Sequence, residues 1–489
     1  MKNTILGREK ELKILDIITK SKKAEFLAVY GRRRVGKTFL IKNGIHNKNA
    51  IFFRATGKQG GSLKEQIRHV TDEIGNAFYN GARLESKKNW SEAFAMLTEG
   101  IAQIKEKNKL VILFFDEFPW MATKKSKLLQ ALDHYWNHAW SNDPRIKLII
   151  CGSSSSWIIK NIVNNKGGLH NRITKNMRLE PFSLRETKVY LESVGVKLNN
   201  NHVTQIYMVT GGIPYYLSHI EPGLSASKII GSLAFHKDAL LLNEFNNLYS
   251  SLFENSEKYV DLIKIIGKKR YGISQSELIK KSKYFSKGGR ITEKLAELEQ
   301  VGFIMSFIPY QHNRQGIYYR LIDEYTLFYF SWIEPIKSKL KKEDLNASYW
   351  ENIQKLPAWK IWAGLSFEAL CFKHITQIRN ALEISADAMV DNWRYAPRDT
   401  KESGAQIDLL FDRNDDAITL CEIKYTNNAF QLDKSFFLSL KNKEIVFKEC
   451  TNTKKQLFWA VISANGIKKY SIEKGFTISV VTSDALFSD

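Results

Sequence analysis

The feature that most constrains this chain is a short stretch near its start, Gly31–Thr38, which reads GRRRVGKT. It has the spacing G-x-x-x-x-G-K-[ST] and follows an apolar run that is typical of a buried strand. Gly31 and Gly36 let the backbone curl so that its N–H groups face phosphate oxygens, and the helix that follows adds the positive end of its dipole. We expect Lys37 to neutralise the β and γ phosphates and Thr38 to ligate Mg²⁺. The alternative is a glycine turn without a ligand.

A second signal is the stretch LVILFFDEF, in which the apolar run Leu110–Phe115 is followed by two acids. A nucleotide site needs a metal anchor at the tip of a strand near the phosphate loop, and this run supplies one. We expect Asp116 to hold Mg²⁺ through water, and Glu117 to orient and deprotonate the attacking water. The competing interpretation is an acidic cap at the end of a strand.

Further candidates follow the next apolar strand, Lys147–Cys151. The run Ser153–Ser156 would place hydroxyls beside the γ-phosphate if the two strands are neighbours, which makes Ser153 or Ser154 a candidate sensor. Serines at such a place are equally typical of a helix N-cap. Arg172, in GLHNRIT, could reach the γ-phosphate of a neighbouring subunit as an arginine finger, or could be a solvated loop residue.

Apolar runs and amphipathic segments alternate through the first part of the chain, which predicts a parallel sheet with crossover helices. The predicted strands are Phe26–Tyr30, Ala50–Phe53, Leu110–Phe115 and Lys147–Cys151, and the predicted helices are Ser62–Phe78, Ser91–Lys107 and Ser126–Trp140. The fold class is therefore α/β, with a P-loop parallel-sheet ATPase domain and its helical lid at residues 1–225. We expect a winged helix-turn-helix with a linker at 226–345 and a mixed α/β domain at 346–489.

Several segments together resemble the archaeal-type ATPase family, in the STAND branch of the AAA-like P-loop ATPases. They are GRRRVGKT, FFDEFPW, IICGSSSS, LHNRIT with LEPFSLRE, and GGIPYYL, and the resemblance covers roughly residues 3–220. It implies ATP rather than GTP as the ligand, and nucleotide-controlled assembly into a homo-oligomer through the ATPase domain, or a domain rearrangement. It also implies that the opening segment Gly7–Leu12 packs near adenine.

The middle of the chain contains ISQSELIKKSKYFSKGGRITEKLAELEQVGFI, which predicts a helix-turn-helix. Its first helix opens with a capping box, Ser274–Glu277, and its second helix runs from about Gly289 to Glu299. Strands on either side of HNRQG would form a wing. Arg290 and Lys294 would then face DNA phosphates or base edges, although a winged helix can equally serve as a rigid spacer or a protein-contact module.

Acids recur in the carboxyl-terminal part, where GAQIDLLFDRNDDAITLCEIKYT predicts a hairpin with Asp408 in one strand and Glu422 and Lys424 on one face of the next. Two carboxylates brought together in this way could bind Mg²⁺, with the lysine positioning the nucleophilic water or stabilising the phosphorane charge. Glu368, in the predicted helix Ser366–Ile378, could supply a further acid. The alternative is an ordinary exposed hairpin, but the apolar neighbours favour burial, where an acid needs a partner. The predicted strands here are Ile407–Phe411, Ile418–Lys424, Leu457–Ile462 and Ile478–Val481.

Residues 361–482 resemble the PD-(D/E)XK nuclease superfamily, in the version attached to archaeal-type ATPases. Glu368, Asp408, Glu422 and Lys424 match its motif positions, which implies that these four residues are catalytic and that Asp408 and Glu422 bind the metal. The implied fold is a mixed α/β, restriction-endonuclease-like domain. One departure from the motif is Ile407, which stands where a proline often precedes the aspartate. The residue at this position varies within the superfamily.

The charge balance favours a polyanionic partner. Lys and Arg outnumber Asp and Glu by 73 to 51, giving a net charge of +22 that is spread through the chain, so DNA is the expected partner, with simple solubility as the alternative. The four cysteines lack the close spacing of a zinc site or a disulfide framework. Neither a signal peptide nor a membrane span is evident, so we expect a cytoplasmic protein that makes no membrane contact.

These signals together predict an ATP-binding and ATP-hydrolysing switch joined to a Mg²⁺-dependent DNA endonuclease. A role in defence or mobile-element biology is implied by the resemblance alone. The alternative is a nucleotide-gated scaffold that holds DNA or a protein partner and has no nuclease activity. A metabolic P-loop kinase is disfavoured, because the carboxyl-terminal half offers DNA-handling features and no evident signature of a small-molecule pocket.

Overall fold

A computed structural model describes residues 5–45, 49–123, 125–164, 167, 169, 171–269, 271–285, 290–311, 316–343, 345, 348–395, 404–468 and 477–488. The chain divides into two compact units, Met1–Pro181 and Phe182–Asp489. The predicted division into three parts, 1–225, 226–345 and 346–489, stays a prediction. Across the described ranges, no helix is both long enough and apolar enough to cross a bilayer.

The first unit is built on a parallel sheet. Its strands, among the described residues, are β1 Glu25–Tyr30, β2 Ile51–Thr56, β3 Val111–Asp116, β4 Ile146–Gly152 and β5 Lys175–Arg178. Their order is β2-β3-β4-β1-β5, and each neighbouring pair is parallel. Every residue of β3 and β4 is buried, as expected for strands that are covered on two faces. This order brings the carboxyl ends of β1, β3 and β4 side by side at one edge of the sheet.

The helices of the first unit are α1 Glu9–Lys20, α2 Lys37–Gly44, α3 Leu63–Phe78, α4 Trp90–Ala102, α5 Phe118–Met121, α6 Leu128–His138 and α7 Ser155–Ile158. Ser62 and Glu65 form a capping box that starts α3, and the N-cap Asn89 starts α4. The predicted strands and helices are confirmed to within a few residues, whereas β5 was not predicted. The helix predicted to end at Lys107 ends earlier because the charged run KEKNK has no apolar face to bury.

The second unit begins with helices. They are α8 Leu184–Ser193, α9 Asn200–Thr210, α10 Pro214–Leu217, α11 Ala226–Ala234 and α12 Leu240–Leu252. Ser183, Asn199 and Ser225 each accept a backbone N–H and so start α8, α9 and α11. α9 ends at Gly211, whose φ of 61° is the left-handed conformation that commonly closes a helix. A helical segment therefore follows the parallel sheet along the chain.

Short strands and helices alternate in the middle of this unit: α13 Ser256–Gly267, β6 Ile273–Ser274, α14 Gln275–Lys281, α15 Arg290–Gln300, β7 Ile304–Phe307 and β8 Tyr318–Leu321. The strands form an antiparallel sheet in the order β6-β8-β7. Ser274 starts α14 by accepting the Glu277 N–H, and the Glu277 carboxylate pairs with Lys281 at 2.8 Å. Residues 286–289, with the predicted helix start at Gly289, and 312–315, in the predicted wing loop, lie outside the described residues.

The remainder of the unit carries a mixed sheet. Its helices are α16 Glu324–Phe328, α17 Lys337–Leu340, α18 Tyr349–Ile353, α19 Pro357–Lys373, α20 Ile375–Ala381 and α21 Lys434–Thr451. Its strands are β9 Met389–Tyr395, β10 Ala405–Asp412, β11 Ala417–Lys424, β12 Gln456–Ser463 and β13 Ile478–Thr482, in the order β13-β12-β11-β10-β9. β9, β10 and β11 pair antiparallel, whereas β11, β12 and β13 pair parallel, with α21 as the crossover from β11 to β12.

The four strands predicted for this region are confirmed, and β9 was missed. Phe437, Leu440 and Phe447 of α21 are buried in one cluster with Trp393 of β9, which fixes α21 against the sheet. The predicted helix Ser366–Ile378 is wrong in its bounds, because it spans two helices. α19 begins at Pro357, since proline is well suited to the first turn of a helix, and the helix breaks at His374 before α20.

Candidate functional site

The phosphate loop connects β1 to α2 and lies at the edge where β3 and β4 also end. Gly31 has a φ of 150°, and a Cβ there would lie 2.2 Å from the Leu179 carbonyl oxygen, so a side chain cannot be accommodated. Gly36 has a φ of 92° and stands at the N-cap of α2. The sequence therefore needs glycine at both predicted positions, for close approach at one and for backbone conformation at the other.

Lys37 points its ammonium group into this loop. The side chain is only 5% exposed, and its Nζ donates to the carbonyl oxygens of Gly31 at 2.9 Å and Arg32 at 3.0 Å. It also donates to Ser153 Oγ, 3.1 Å away, at the end of β4. The positive charge is thus held at the inner face of the loop, where a bound phosphate would meet it.

Thr38 and Asp116 meet at the point where β3 ends. Thr38 Oγ1 lies 3.1 Å from Oδ1 and 2.9 Å from Oδ2 of Asp116, which is 2% exposed. Hydroxyl and carboxylate oxygens are the ligands that Mg²⁺ prefers, so this pair fits the ion that the phosphate loop implies. The predicted convergence of the phosphate loop and the metal carboxylate is present, while their roles stay predictions.

Arg54 also contacts Asp116, and this contact was not predicted. Its Nη2 lies 2.9 Å from Asp116 Oδ2, and its guanidinium lies 5.9 Å from the centroid of the Phe114 ring. Arg54 stands in β2, which pairs with β3, so the contact depends on strand order. The only sequence signal is a lone arginine in the otherwise apolar run IFFRAT.

Glu117 follows directly and points toward β4. Its φ of 46° and ψ of 44° place it in the left-handed region, which is uncommon for a residue with a side chain and is typical of functional sites. Glu117 Oε1 accepts from Ser153 Oγ at 2.6 Å, and Oε2 accepts from the Ser153 N–H at 3.1 Å. Ser153 therefore bridges the carboxylate of Glu117 and the ammonium group of Lys37.

The serine run divides between the two expected roles. Ser154 occupies the N-cap of α7, and its side chain makes no capping hydrogen bond. Ser153 instead contacts Glu117, so its side chain belongs to the candidate nucleotide site. Its role as a sensor stays a prediction. Arg172 is exposed in the turn before β5, and its role as an arginine finger in a neighbouring subunit is likewise a prediction.

The opening segment of the chain contacts the phosphate loop. Arg8 is 5% exposed, and its Nη2 donates to the Val35 carbonyl oxygen at 3.3 Å. Its guanidinium also pairs with Glu11 at 3.8 Å. This contact links the segment Gly7–Leu12, which the resemblance placed near adenine, to the loop itself.

A second cluster of charged residues lies on β10 and β11. The two strands pair antiparallel with Leu409 opposite Cys421, which makes Asp408 and Glu422 neighbours across the hairpin. The pairing of β10 with β9 shifts register between Ile407 and Leu410, and such an irregularity re-aims the side chain at its centre, here Asp408. Asp408 is 9% exposed and Glu422 is 5% exposed. The predicted pair is therefore brought together and buried.

Each carboxylate has its own set of partners. Asp408 Oδ2 accepts from the Ile423 N–H at 3.0 Å, and Oδ1 accepts from Gln406 Nε2 at 3.2 Å. Glu422 Oε1 accepts from Lys424 Nζ at 2.7 Å, and Oε2 accepts from Lys443 Nζ at 2.6 Å. Lys443, on α21, was not predicted, because no local pattern in the sequence reveals which helical lysine will face β11.

These surroundings shift the pKa values of the two acids in opposite directions. Burial, reinforced by the negative charges of Glu422 and Glu368, raises the pKa of Asp408 to about 7. Burial also opposes ionisation of Glu422, but the charges of Lys424 and Lys443 outweigh it and lower the pKa of Glu422 below its ordinary value. Glu422 is thus the fixed negative charge of the pair, and Asp408 is the group that exchanges a proton near neutral pH.

Glu368 lies on α19 and is 8% exposed. Because its charge contributes to the raised pKa of Asp408, the acid is within electrostatic reach of the pair. Within the described part of the chain, no group of three or more His, Cys, Asp or Glu side chains is arranged to hold a metal ion. Asp408 and Glu422 offer hard oxygen donors, and Mg²⁺ can be held by one or two carboxylates together with water, so the two acids suit that ion.

The raised pKa of Asp408 predicts an unusual stability profile for the Asp408→Asn variant. In the wild type the folded state binds this proton more tightly than the unfolded state, so stability is lost as pH rises from about 4 to about 7. Asparagine does not titrate, so the variant does not lose this stability as pH rises. We expect the variant to gain stability over the wild type across this window, by on the order of a few kcal/mol, and the difference to be constant above pH 7.

Chemical unfolding in the presence of a chelator, at a series of pH values, measures this difference. Asp416→Asn is the matched control, because Asp416 is exposed in the β10–β11 turn and its φ of 59° suits asparagine. If the difference in unfolding free energy between Asp408→Asn and the wild type does not change with pH, the raised pKa is wrongly assigned to Asp408.

Two basic residues of the middle segment were expected to face DNA. Arg290 is exposed at the start of α15. Lys294 instead pairs with Glu297 at 3.1 Å and lies 5.0 Å from the centroid of the Tyr259 ring. Contact of Arg290 or Lys294 with DNA stays a prediction.

The sequence model described as an ATPase domain predominantly from Archaea matches residues 5–220. A protein of Methanocaldococcus jannaschii that is described as uncharacterised is 25% identical over 448 residues, covering 90% of this chain and 91% of its own length. A Walker-type ATPase of Pyrococcus abyssi is 18% identical, with a TM-score of 0.44, over 66% of this chain and 95% of that chain. The ORC2 protein of Aeropyrum pernix, in complexes with ADPNP and ADP, is 14% identical, with a TM-score of 0.41, over 77% of this chain and 98% of that chain. Residues 5–220 are an archaeal-type ATPase domain.

Proposed function

We propose that this chain, which contains an archaeal-type ATPase domain at residues 5–220, is a nucleotide-controlled, Mg²⁺-dependent DNA endonuclease. The observation that carries the nuclease proposal is the buried pair Asp408 and Glu422 on adjacent strands, with Lys424 bonded to Glu422 at 2.7 Å. Burying two acids side by side is costly unless a cation compensates for them, and a divalent metal does so.

In the ATPase domain, each residue has a role that follows from its position. Backbone N–H groups of the phosphate loop and the amino-terminal end of α2 attract the phosphates, and Lys37 adds a full positive charge. Thr38 and Asp116 would hold Mg²⁺, which would offset the negative charge that develops on the phosphate oxygens. Glu117 orients the attacking water and accepts its proton, with Ser153 fixing the direction of its carboxylate.

In the carboxyl-terminal domain, Asp408 and Glu422 would hold the metal, which when bound polarises the scissile phosphate and acidifies water. Burial lowers the pKa of Lys424, but the charge of Glu422 outweighs burial and raises that pKa overall, so the lysine stays protonated. Lys424 can therefore orient water or stabilise the phosphorane charge. Lys443 keeps Glu422 ionised from the opposite side.

The mixed sheet supports the proposed restriction-endonuclease-like fold. A helix carrying Glu368 precedes an antiparallel set of strands carrying Asp408 and Glu422, and a crossover helix leads to two parallel strands. Ile407 precedes Asp408 where proline is common, and the register shift begins at that residue. The residue before the aspartate thus lies where strand pairing is already irregular.

DNA is the proposed substrate because of charge and topology. The net charge is +22, and the order α13-β6-α14-α15-β7-β8 supports the proposed winged helix, with Arg290 exposed at the start of the helix that would enter the groove. ATP binding would control access to DNA or assembly of several copies through the ATPase domain. A part in defence against foreign DNA is consistent with this activity and rests on the family resemblance.

A nucleotide-gated scaffold without nuclease activity is the second candidate. The observation that favours it is that two lysines already satisfy both oxygens of Glu422, an arrangement that is also found in purely structural ion-pair networks. In that case the chain would hold DNA or a protein partner in response to ATP and would not cut it.

Incubation of supercoiled plasmid with the full chain separates the two candidates. We expect nicked or linear product only with Mg²⁺ or Mn²⁺, in an amount that ATP changes, and no product with EDTA, because the metal supplies the charge that the reaction needs. Gel mobility of the same plasmid reports binding. Retention of the plasmid that responds to ATP, with no cleavage under any metal condition, would establish the scaffold instead.

A further inference from the structure

Asp116 is a buried carboxylate, 2% exposed, at the end of β3. The Glu117 N–H donates to its Oδ1 at 3.1 Å, and the Thr38 hydroxyl lies within hydrogen-bond distance of both of its oxygens. These donors are neutral, whereas Arg54 Nη2, 2.9 Å from Oδ2, brings a full positive charge. Because a buried ion without its counter-charge is strongly destabilising, Arg54 is the group that stabilises an ionised Asp116 when no metal is bound.

Arg54 reaches Asp116 along one face of the sheet. In the register of β2 and β3, Arg54 pairs with Phe114 and Thr56 pairs with Asp116, so the arginine and the aspartate lie on the same face of neighbouring strands. The Arg54 side chain is 33% exposed, and its buried Nε has no hydrogen-bond partner among the described residues. The guanidinium is thus held by the carboxylate and is partly open to water, which can hydrate it if it moves away.

The same carboxylate is the proposed anchor of Mg²⁺. A divalent ion held by Asp116 and Thr38 would lie close to the Arg54 guanidinium, and charges of the same sign repel each other at close range. Thr38 belongs to the phosphate loop, so the ion pair and the loop meet at a single carboxylate. This position distinguishes Arg54 from an arginine in an ordinary surface ion pair, because its charge acts where the metal would bind.

We propose that Arg54 is a positioning residue of the nucleotide site. It holds Asp116 ionised and in place when no metal is bound, and its charge opposes the entry of a divalent cation. The inference rests on the proposed function, since it treats Thr38 and Asp116 as the metal ligands of a bound nucleotide. Its consequence is that Arg54 narrows the difference in affinity between nucleotide with Mg²⁺ and nucleotide alone.

The test is isothermal titration calorimetry of the full chain with the non-hydrolysable ATP analogue AMP-PNP, once with excess Mg²⁺ and once with EDTA. The ratio of the two affinities is the metal gain. Association of Mg²⁺ with the nucleotide in solution is the same for every variant, so it cancels from the comparison. We expect the metal gain of Arg54→Met to exceed that of the wild type about tenfold, the effect of one unit charge on a divalent ion about 6 Å away in a water-like dielectric.

Two further substitutions of the same residue separate its charge from its shape. Arg54→Gln removes the charge and keeps a polar side chain, so it should show the same increase in metal gain, and it replaces the methionine variant if that variant does not fold. Arg54→Lys keeps the charge and should stay close to the wild type. Arg68→Met is the matched control, because Arg68 also pairs with an aspartate, Asp72 at 2.7 Å, but lies 43% exposed on α3.

Asp116→Asn distinguishes a failure of this inference from a failure of the proposed nucleotide site. If Asp116→Asn lowers the metal gain while Arg54→Met leaves it unchanged or lowers it, the inference is overturned and the proposed nucleotide site stands. If Asp116→Asn keeps the metal gain of the wild type, the metal binds elsewhere, and the roles proposed for Asp116 and Arg54 are both wrong.

Discussion

Replacing Lys37 with alanine is expected to abolish measurable ATP binding and to lower ATP hydrolysis by at least about 10²–10³-fold, the loss that follows removal of one preorganised electrostatic contact. Lys37 is 5% exposed, and its ammonium group donates to the carbonyl oxygens of Gly31 and Arg32. Alanine therefore removes a charge whose position is already set before a phosphate arrives. Isothermal titration calorimetry with ATP and a phosphate-release assay measure the two effects.

Lys42→Ala is the matched control for Lys37→Ala, since Lys42 lies exposed in the last turn of the same helix, α2. It removes an equal charge without touching the loop, so binding should be that of the wild type. Circular dichroism must show that Lys37→Ala keeps its fold, because two loop carbonyls lose a donor in this variant. A folded Lys37→Ala protein that binds ATP as tightly as the wild type would remove the phosphate loop from the mechanism.

The candidate nucleotide site could be predicted from sequence where its parts are contiguous. The loop Gly31–Thr38 and the pair Asp116 and Glu117 are each a local pattern, and their meeting follows from the rule that parallel strands end at the same edge of a sheet. Arg54 could not be predicted, because its contact with Asp116 requires knowing that β2 pairs with β3. Strand order is a tertiary property that spacing does not encode.

The carboxylate site could likewise be predicted only where its parts are close together in the sequence. The hairpin Asp408–Lys424 is local, so turn chemistry and apolar alternation were sufficient to place Asp408 beside Glu422. Lys443 comes from α21, a helix that packs on the hairpin from later in the chain, and it does not lie in a recognisable motif. Only tertiary packing brings such counter-charges to a site.

Boundaries and surface contacts were the least predictable features. α19 begins at Pro357 well before the predicted start, because a proline that interrupts a helix interior is favourable in its first turn. Lys294, which is expected to face DNA, also pairs with Glu297 and lies over Tyr259, because the i, i+3 neighbour and the nearby ring are within its reach. Charge alone does not reveal which way a helical lysine points.

Glu422→Gln is expected to abolish metal-dependent DNA cleavage, with a loss of at least about 10³-fold, because a metal ion contributes several kcal/mol to stabilising the charge of a phosphoryl transition state. Glutamine keeps the shape of the side chain and removes its charge. In the wild type, one carboxylate oxygen accepts from Lys424 at 2.7 Å and the other from Lys443 at 2.6 Å. In the variant, the amide N–H₂ group replaces one of these oxygens and cannot accept from the lysine beside it. The site therefore loses its fixed negative charge and retains two unmatched cations, which repel a metal ion.

Plasmid cleavage with Mg²⁺ or Mn²⁺ measures this loss, and Glu449→Gln, an exposed acid on α21, is the matched control. ATP hydrolysis serves as the internal reference, because Glu422 takes no part in the nucleotide site and its replacement should leave turnover unchanged. If Glu422→Gln cuts DNA like the wild type while the control does too, the buried pair is a structural ion network and the cleavage has another source. If cleavage disappears and ATP hydrolysis persists, the carboxylates of β10 and β11 perform the cutting, and the nucleotide acts by regulating it.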